Sequence, residues 1–214
     1  IVAGWETSFG TGLTDFWVLK LDAEGSINWQ KSLGGSGDNR AYSIQQTIDG
    51  GYIVSGLTDS LETEGEDMLI LKLDNSGAVS WLNTYGGSNN EYVRSIHQTS
   101  DGGYIVSGET SSFGAGGKDM WILKLDSEGT VSWQKTYGGS GDDLARSIQQ
   151  TTDGGYIVAG STSSYGAGSV DFWILKLDAN GGIIWQKTYG GNGDDVTSSV
   201  KRTSDGSFIV AGYT

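Results

Sequence analysis

The side chains best able to do chemistry in this 214-residue chain come in sets of four, spaced 52 positions apart. One set lies in the loops Gly35-Ser36-Gly37-Asp38-Asn39, Gly87-Ser88-Asn89-Asn90-Glu91, Gly139-Ser140-Gly141-Asp142-Asp143 and Gly191-Asn192-Gly193-Asp194-Asp195. Calcium takes six to eight oxygen ligands, so clustered carboxylates beside glycine-permitted carbonyls make Asp38, Asn90, Glu91, Asp142, Asp143, Asp194 and Asp195 candidate calcium ligands. The spaced Asp-x-Asp-x-Asp-Gly pattern is absent, and Asn90 replaces the first acid in one copy. No other cofactor is expected. The remaining acid series suit structural duties. Asp49, Asp101, Asp153, Asp205 and Asp22, Asp74, Asp126, Asp178 sit at turn positions, where the side chain caps its own backbone. Asp15, Asp67, Asp119 and Asp171 follow a Gly-rich loop and are expected to bond a neighbouring repeat. Glu62, Glu64 and Glu66 are confined to one repeat and read as a solvated loop.

Catalytic chemistry finds little to work with. The chain has no Cys and one His, His97, which occupies the slot held elsewhere by Gln45, Gln149 and Lys201. No Gly-x-Ser-x-Gly elbow occurs, and Gly116-Gly117-Lys118-Asp119 lacks the Ser or Thr that a phosphate loop uses for magnesium. Glycosidase chemistry needs two carboxylates in deliberately different environments, and near-identical repeats work against that asymmetry. The expectation is a protein that is not an enzyme.

The aromatic series Trp29, Trp81, Trp133, Trp185 and Tyr85, Tyr137, Tyr189 recur on one face of a strand. Packing between repeats is the first expectation, with a sugar-stacking platform as the alternative. Lys20, Lys72, Lys124 and Lys176 share a strand face with aliphatic residues, as snorkelling stems or partners of the nearby Asp series. Lys31, Lys135 and Lys187 blunt an outer edge.

Positioning these residues requires a repeated scaffold. Ile1-Val2-Ala3-Gly4 returns at residues 53, 105, 157 and 209 with at most one change, and residues 105–156 match 157–208 at 31 of 52 positions without a gap. Within a repeat the apolar pattern has period two, which indicates strands and not helices. Four strands are expected per repeat: A over 145–151, B over 156–162, C over 171–177 and D over 183–189. Asp153-Gly154-Gly155 joins A to B and Asp178-Ala179-Asn180-Gly181 joins C to D as hairpins. Strand C, apolar on both faces, belongs mid-sheet. A unit of this kind cannot bury both faces alone and must stack on copies of itself, so the fold class is an all-β β-propeller of four-stranded antiparallel blades. The core between blades is expected from Trp133, Leu123, Ile122, Ile148 and Val158 with their equivalents. With no linker visible, residues 1–214 read as one array of repeats 1–52, 53–104, 105–156 and 157–208 with a partial strand 209–214. Its opening at Ile1, inside a strand, suggests a processed chain or a segment of a longer one.

Thirty-six Gly without any Pro serve turns and exclude collagen. A net charge of −13 makes nucleic acid and anionic lipid poor partners. No apolar run approaches the ~20 residues of a spanning helix, so membrane insertion is not expected.

Asp171-Phe172-Trp173-Ile174-Leu175-Lys176-Leu177-Asp178, Trp185-Gln186-Lys187-Thr188-Tyr189-Gly190-Gly191, Gly193-Asp194-Asp195 and Asp153-Gly154-Gly155-Tyr156-Ile157-Val158-Ala159-Gly160 together resemble the β-propeller repeats of prokaryotic secreted and surface proteins, the SBBP-type repeats. The resemblance runs through the whole chain, departing from that group in the Trp of strand D and in having four copies. It implies a secreted or cell-surface location. The expected function is a non-enzymatic extracellular scaffold for adhesion or surface assembly; a multivalent carbohydrate-binding propeller is the alternative and a propeller glycoside hydrolase the third reading. Expected partners are glycans and other copies of the chain, through terminal strands left to donate.

Overall fold

The protein is described here by a computed structural model covering residues 1–59 and 65–214. Glu62 and Glu64 of the acidic loop lie outside the described residues. Every regular element among the described residues is a strand, and the strands fall into two compact units, Ile1–Gln98 and Thr99–Thr214.

In the first unit, β1 (Val2–Glu6), β2 (Asp15–Leu21) and β3 (Ile27–Leu33) pair antiparallel in that order. A full meander follows: β4 (Asn39–Gln46), β5 (Tyr52–Thr58), β6 (Asp67–Leu73) and β7 (Val79–Tyr85). Strand β8 (Glu91–Gln98) packs against β4 and β5. In the second unit, β9 (Tyr104–Thr110), β10 (Asp119–Leu125) and β11 (Val131–Tyr137) pair in order, and β12 (Asp143–Gln150), β13 (Tyr156–Thr162), β14 (Asp171–Leu177) and β15 (Ile183–Tyr189) form a second full meander. The last sheet holds β16 (Val196–Arg202) and β17 (Phe208–Tyr213). These are the antiparallel blades of a β-propeller fold, all-β as the periodicity requires.

Strands B, C and D fall where the sequence places them. Strand A starts earlier, at Asp143, because a bulge between Ala145 and Ser147 adds a residue to the ladder and carries pairing back to the Gly-rich loop. The hairpin glycines do what the turns demand, with Gly154 at φ +81° and Gly181 at φ +76°, a region that disfavours any side chain.

Strands β5, β6, β9, β10 and β13 are buried on both faces. In the second unit one cluster joins Ile105, Met120, Ile122 and Tyr137 to Ile148, Tyr156, Val158, Trp173, Leu175 and Leu177, with Trp133 packed on its edge. Leu123 is fully buried but is not part of this cluster, because alternation turns it to the opposite face from Ile122. Burying one such aliphatic side chain is worth roughly 1.5–3 kcal/mol, so the stacking faces supply most of the driving force. Close approach is set by a glycine in the B strands β5, β13 and β17. A β-carbon on Gly160 would strike Leu144 O and Met120 Cε, and one on Gly56 would strike Arg40 O and Phe16 Cζ. The tip of a C-strand side chain thus rests on bare backbone of the following blade.

Candidate functional site

The acid loops divide their work. The first acid of each pair stays near the surface and ties down the segment leading into the preceding C strand: Asp142 Oδ1 accepts from Lys118 N at 2.9 Å, Asn90 Oδ1 from Glu66 N at 3.1 Å, and Asp38 Oδ1 from Thr14 Oγ1 at 3.0 Å. Asp38 also pairs with Arg40 at 3.1 Å. Asp194 lies opposite Val170 in a short parallel bridge. The second acid is buried. Asp143 Oδ2 accepts from Gly139 N at 2.8 Å and Ser164 Oγ at 2.6 Å, Glu91 Oε2 from Gly87 N at 2.7 Å, and Asp195 Oδ2 from Gly191 N at 2.8 Å.

Consecutive acids therefore do not converge. What comes together is the second acid and the Asp that opens the preceding C strand. A β-carbon on Gly138 would crowd both Asp119 Oδ1 and Asp143 Oδ2; one on Gly86 would crowd Asp67 Oδ1 and Glu91 Oε2, and one on Gly190 would crowd Asp171 Oδ1 and Asp195 Oδ2. Two carboxyls in one dry site raise each other's proton affinity. Burial, then the charge and hydrogen bond of Glu91, push Asp67 up to about 6. Asp119 is also raised, by burial and by Asp143, against the bond from Ala115 N. In the first blade the pair is Asp15 with Asn39, which removes one charge. Among the described residues, no three His, Cys, Asp or Glu side chains gather into a metal-sized group.

The other acids serve the hairpins. Asp178 Oδ1 accepts from Asn180 N and Gly182 N, both at 2.8 Å, closing the C–D turn. Asp49, Asp101 and Asp153 at the A–B turns receive the buried lysines Lys72, Lys124 and Lys176 at 2.8–2.9 Å. The Lys72 and Thr47 hydrogen bonds hold Asp49 at about 2.

The D-strand aromatics face the next blade. Trp133 Nε1 donates to Ala179 O at 3.2 Å, Tyr137 Oη donates to Gly181 O at 2.6 Å, and Trp133 meets Tyr156 edge-on at 5.9 Å. Burial raises the Tyr137 hydroxyl well above its ordinary range. Two features escape a reading by residue type. The Gln45 and Gln149 slot carries a bond between blades: Gln45 Oε1 accepts from Gln98 N at 2.7 Å and Gln149 Oε1 from Arg202 N at 3.0 Å, linking successive A strands. Secondly, a surface cleft recurs. Phe113, Trp121, Gln134, Lys135 and Thr136 line one of about 410 Å³, and their 52-residue equivalents Tyr165, Trp173, Gln186, Lys187 and Thr188 line another of about 190 Å³. In each a loop aromatic leans on the Trp of strand C, with centroids 5.4 Å apart for Phe113–Trp121 and 5.2 Å for Tyr165–Trp173. Trp173 Nε1 donates to Gln186 Oε1 at 3.2 Å, fixing the amide at the rim. The first blade repeats the aromatic pair, Phe9–Trp17 at 6.0 Å, whereas the second carries Leu69 and Leu82 in place of the Trp and the Gln. The sequence signal was the joint loss of Trp and Gln in a single repeat.

No helix among the described residues is long and apolar enough to cross a membrane. Residues 151–182 match the family described as "Domain of unknown function (DUF5122) beta-propeller". No curated protein matches the sequence. Among solved structures, a protein of unknown function from Bacteroides caccae is similar at a TM-score of 0.59 and 13% identity, over 92% of this chain and 60% of that one. This chain therefore spans about 60% of the length of that neighbour. Strand pairing, the 52-residue period and the family match agree on one conclusion: the chain is built of β-propeller repeats.

Proposed function

We propose that the chain is a non-enzymatic adhesion scaffold of the secreted, SBBP-like kind, holding saccharides weakly at one surface cleft per aromatic-bearing blade. The observation that carries this reading is the recurrence of a single cleft chemistry at Phe113/Trp121/Gln134/Lys135/Thr136 and Tyr165/Trp173/Gln186/Lys187/Thr188. A pyranose has an apolar C–H face and a rim of hydroxyls. The half-exposed rings of Phe113 and Tyr165 offer a face to the first; Gln, Lys and Thr offer donors and acceptors to the second. Each site alone is shallow, so useful affinity comes from engaging several at once on a polymer or a cell surface. The repeated carboxylates support the absence of chemistry, since each is occupied in turns, ion pairs or blade junctions, and Asp119 and Asp143 are 2% and 0% exposed.

The test is a glycan array followed by titration of the best polymer against the parent chain and the double variant F113A/Y165A. Binding to a polymer with avidity, reduced at least about tenfold in the double variant, supports the reading. A blank array, or binding indifferent to both substitutions, overturns it.

A further inference from the structure

The hydrogen bonding around the two aromatic clefts of the second unit narrows what they can hold. In the cleft beside β14, Trp173 Nε1 lies 3.2 Å from Oε1 of Gln186. An indole N–H donates and never accepts, so the amide atom facing it is the oxygen, and the NH2 group of Gln186 is turned away from the indole. The Tyr165 hydroxyl is also committed, donating to Gly138 O at 2.9 Å. The Gln186 NH2 group and the Thr188 hydroxyl, by contrast, have no hydrogen-bond partner among the described residues. The cleft beside β10 has the same layout: Gln134 stands opposite Leu123 and Thr136 opposite Trp121, as Gln186 stands opposite Leu175 and Thr188 opposite Trp173.

The apolar part of each cleft is a single tilted ring. Trp121 and Trp173 are both 2% exposed, whereas Phe113 and Tyr165 are 41% and 45% exposed and lean on them at interplanar angles of 45° and 53°. The buried indole props the loop ring and leaves a notch between that ring and the D strand. Thr110 Oγ1 and Thr162 Oγ1 fix the loops in advance, accepting from Phe113 N at 3.3 Å and Tyr165 N at 3.2 Å.

The repeats vary these positions together. Ring, indole and amide are Phe9, Trp17 and Gln30 in one copy, Phe113, Trp121 and Gln134 in another, and Tyr165, Trp173 and Gln186 in a third; the second repeat has Leu61, Leu69 and Leu82. Replacing all three by the same apolar residue in one copy is the pattern of a shared task, not of independent packing.

A sugar hydroxyl is donor and acceptor at once and asks a site for both. The β14–β15 cleft offers donors beside an apolar ring, with the Thr188 hydroxyl its one free side-chain acceptor. A carbonyl joined to a methyl group is the complement of that arrangement. A carboxylate would also accept from the amide, but it brings nothing apolar to the ring, and a net charge of −13 opposes polyanions. Lys135 does not offset this. A β-carbon on Gly181 would lie 3.1 Å from its Cδ, and its charge, after the Gly182 and Asn180 N–H groups, helps hold the neighbouring Asp178 carboxyl low.

We propose that the saccharides held by these clefts are N-acetylated: the acetamido carbonyl accepts from the NH2 group of Gln134 or Gln186, and its methyl group packs in the notch against Phe113 or Tyr165. Thr136 and Thr188 are left for a ring hydroxyl. This rests on the saccharide reading and adds the class of sugar.

The test titrates polymers bearing N-acetylglucosamine, N-acetylgalactosamine or N-acetylmannosamine beside identical polymers bearing glucose, galactose, mannose, glucosamine or glucuronic acid. At least one acetamido polymer is expected to bind, at least about tenfold more tightly than its matched hexose. The double variant Q134E/Q186E keeps an oxygen for the indole and removes the NH2 donors, and is expected to lose that preference. Q134L/Q186L, which copies Leu82 of the second repeat, controls for the added charge and is expected to weaken binding in the same direction. Hexoses bound as tightly as their acetamido partners overturn the proposal, as does a preference for glucuronic acid or one that neither glutamine variant moves. Hexose binding that F113A/Y165A removes would leave the adhesion reading standing while this inference falls. A panel without any binder overturns both.

Discussion

Strands β11 and β15 share Trp-Gln-Lys-Thr-Tyr in the same positions, yet one is an interface and the other a surface. On β11, Trp133 is hydrogen-bonded and half-buried and Tyr137 is 7% exposed; on β15, Trp185 is 37% and Tyr189 57% exposed. Nothing local distinguishes them. The difference comes from β14 and its turn, which cover β11, while among the described residues no C strand lies over β15. Burial in a repeat array is a property of the neighbour, so aromatic residues that would read as a binding platform on one blade are core on another.

Equivalent substitutions on the two strands should separate most widely at the tryptophan. Trp133→Ala removes a ring from a packed edge and should cost ~3–5 kcal/mol, while Trp185→Ala, at a ring 37% exposed, should cost less than about 1 kcal/mol. Chemical unfolding of both variants measures this, and equal costs would dissolve the contrast. A smaller gap is expected for the hydroxyls. Tyr137→Phe leaves Gly181 O without its donor and should cost about 1 kcal/mol; Tyr189→Phe should be silent in the same assay.

The blade junctions sharpen the contrast through pH. Asp67 is raised in the folded state, so its contribution is complete below the ordinary carboxylate range and fades as pH rises through about 6. Asp49 is depressed to about 2, so its contribution is present above the ordinary carboxylate range and fades as pH falls towards 2. Together these two contributions are expected to be largest near pH 4. Glu91→Asn copies the Asp15–Asn39 junction and should flatten the decline on the alkaline side, leaving the acid side unchanged. A melting series from pH 3 to 8 on both proteins checks this, and an unaltered alkaline slope would remove Asp67 from the account.

Much of this was legible in the sequence because period-two alternation and Asp/Gly turns are local signals. Strands B, C and D and both hairpins needed nothing beyond them. The junction acids were not legible as pairs. Asp142 and Asp143 are neighbours in the chain, but alternation sends them to different places, and the partner of Asp143 lies 24 residues earlier at Asp119. The clefts were hidden for a related reason, since residues 113, 121 and 134–136 meet only once the C–D hairpin brings β10 beside β11. Leu123 shows the limit from the other side: buried as expected, but facing away from the cluster expected to contain it.

The glycine that receives a C-strand tip has an evolutionary consequence. Phe16 rests on Gly56, Met120 on Gly160 and Phe172 on Gly212. Because the receiving surface is backbone, a change from Phe to Met in one repeat demands no matching change in the next, and contact between repeats is confined to neighbours. A lineage carrying such a gene can duplicate, delete or shuffle 52-residue segments without coordinated mutation at the new joints. Copy number, and not interface sequence, is then the trait most open to selection.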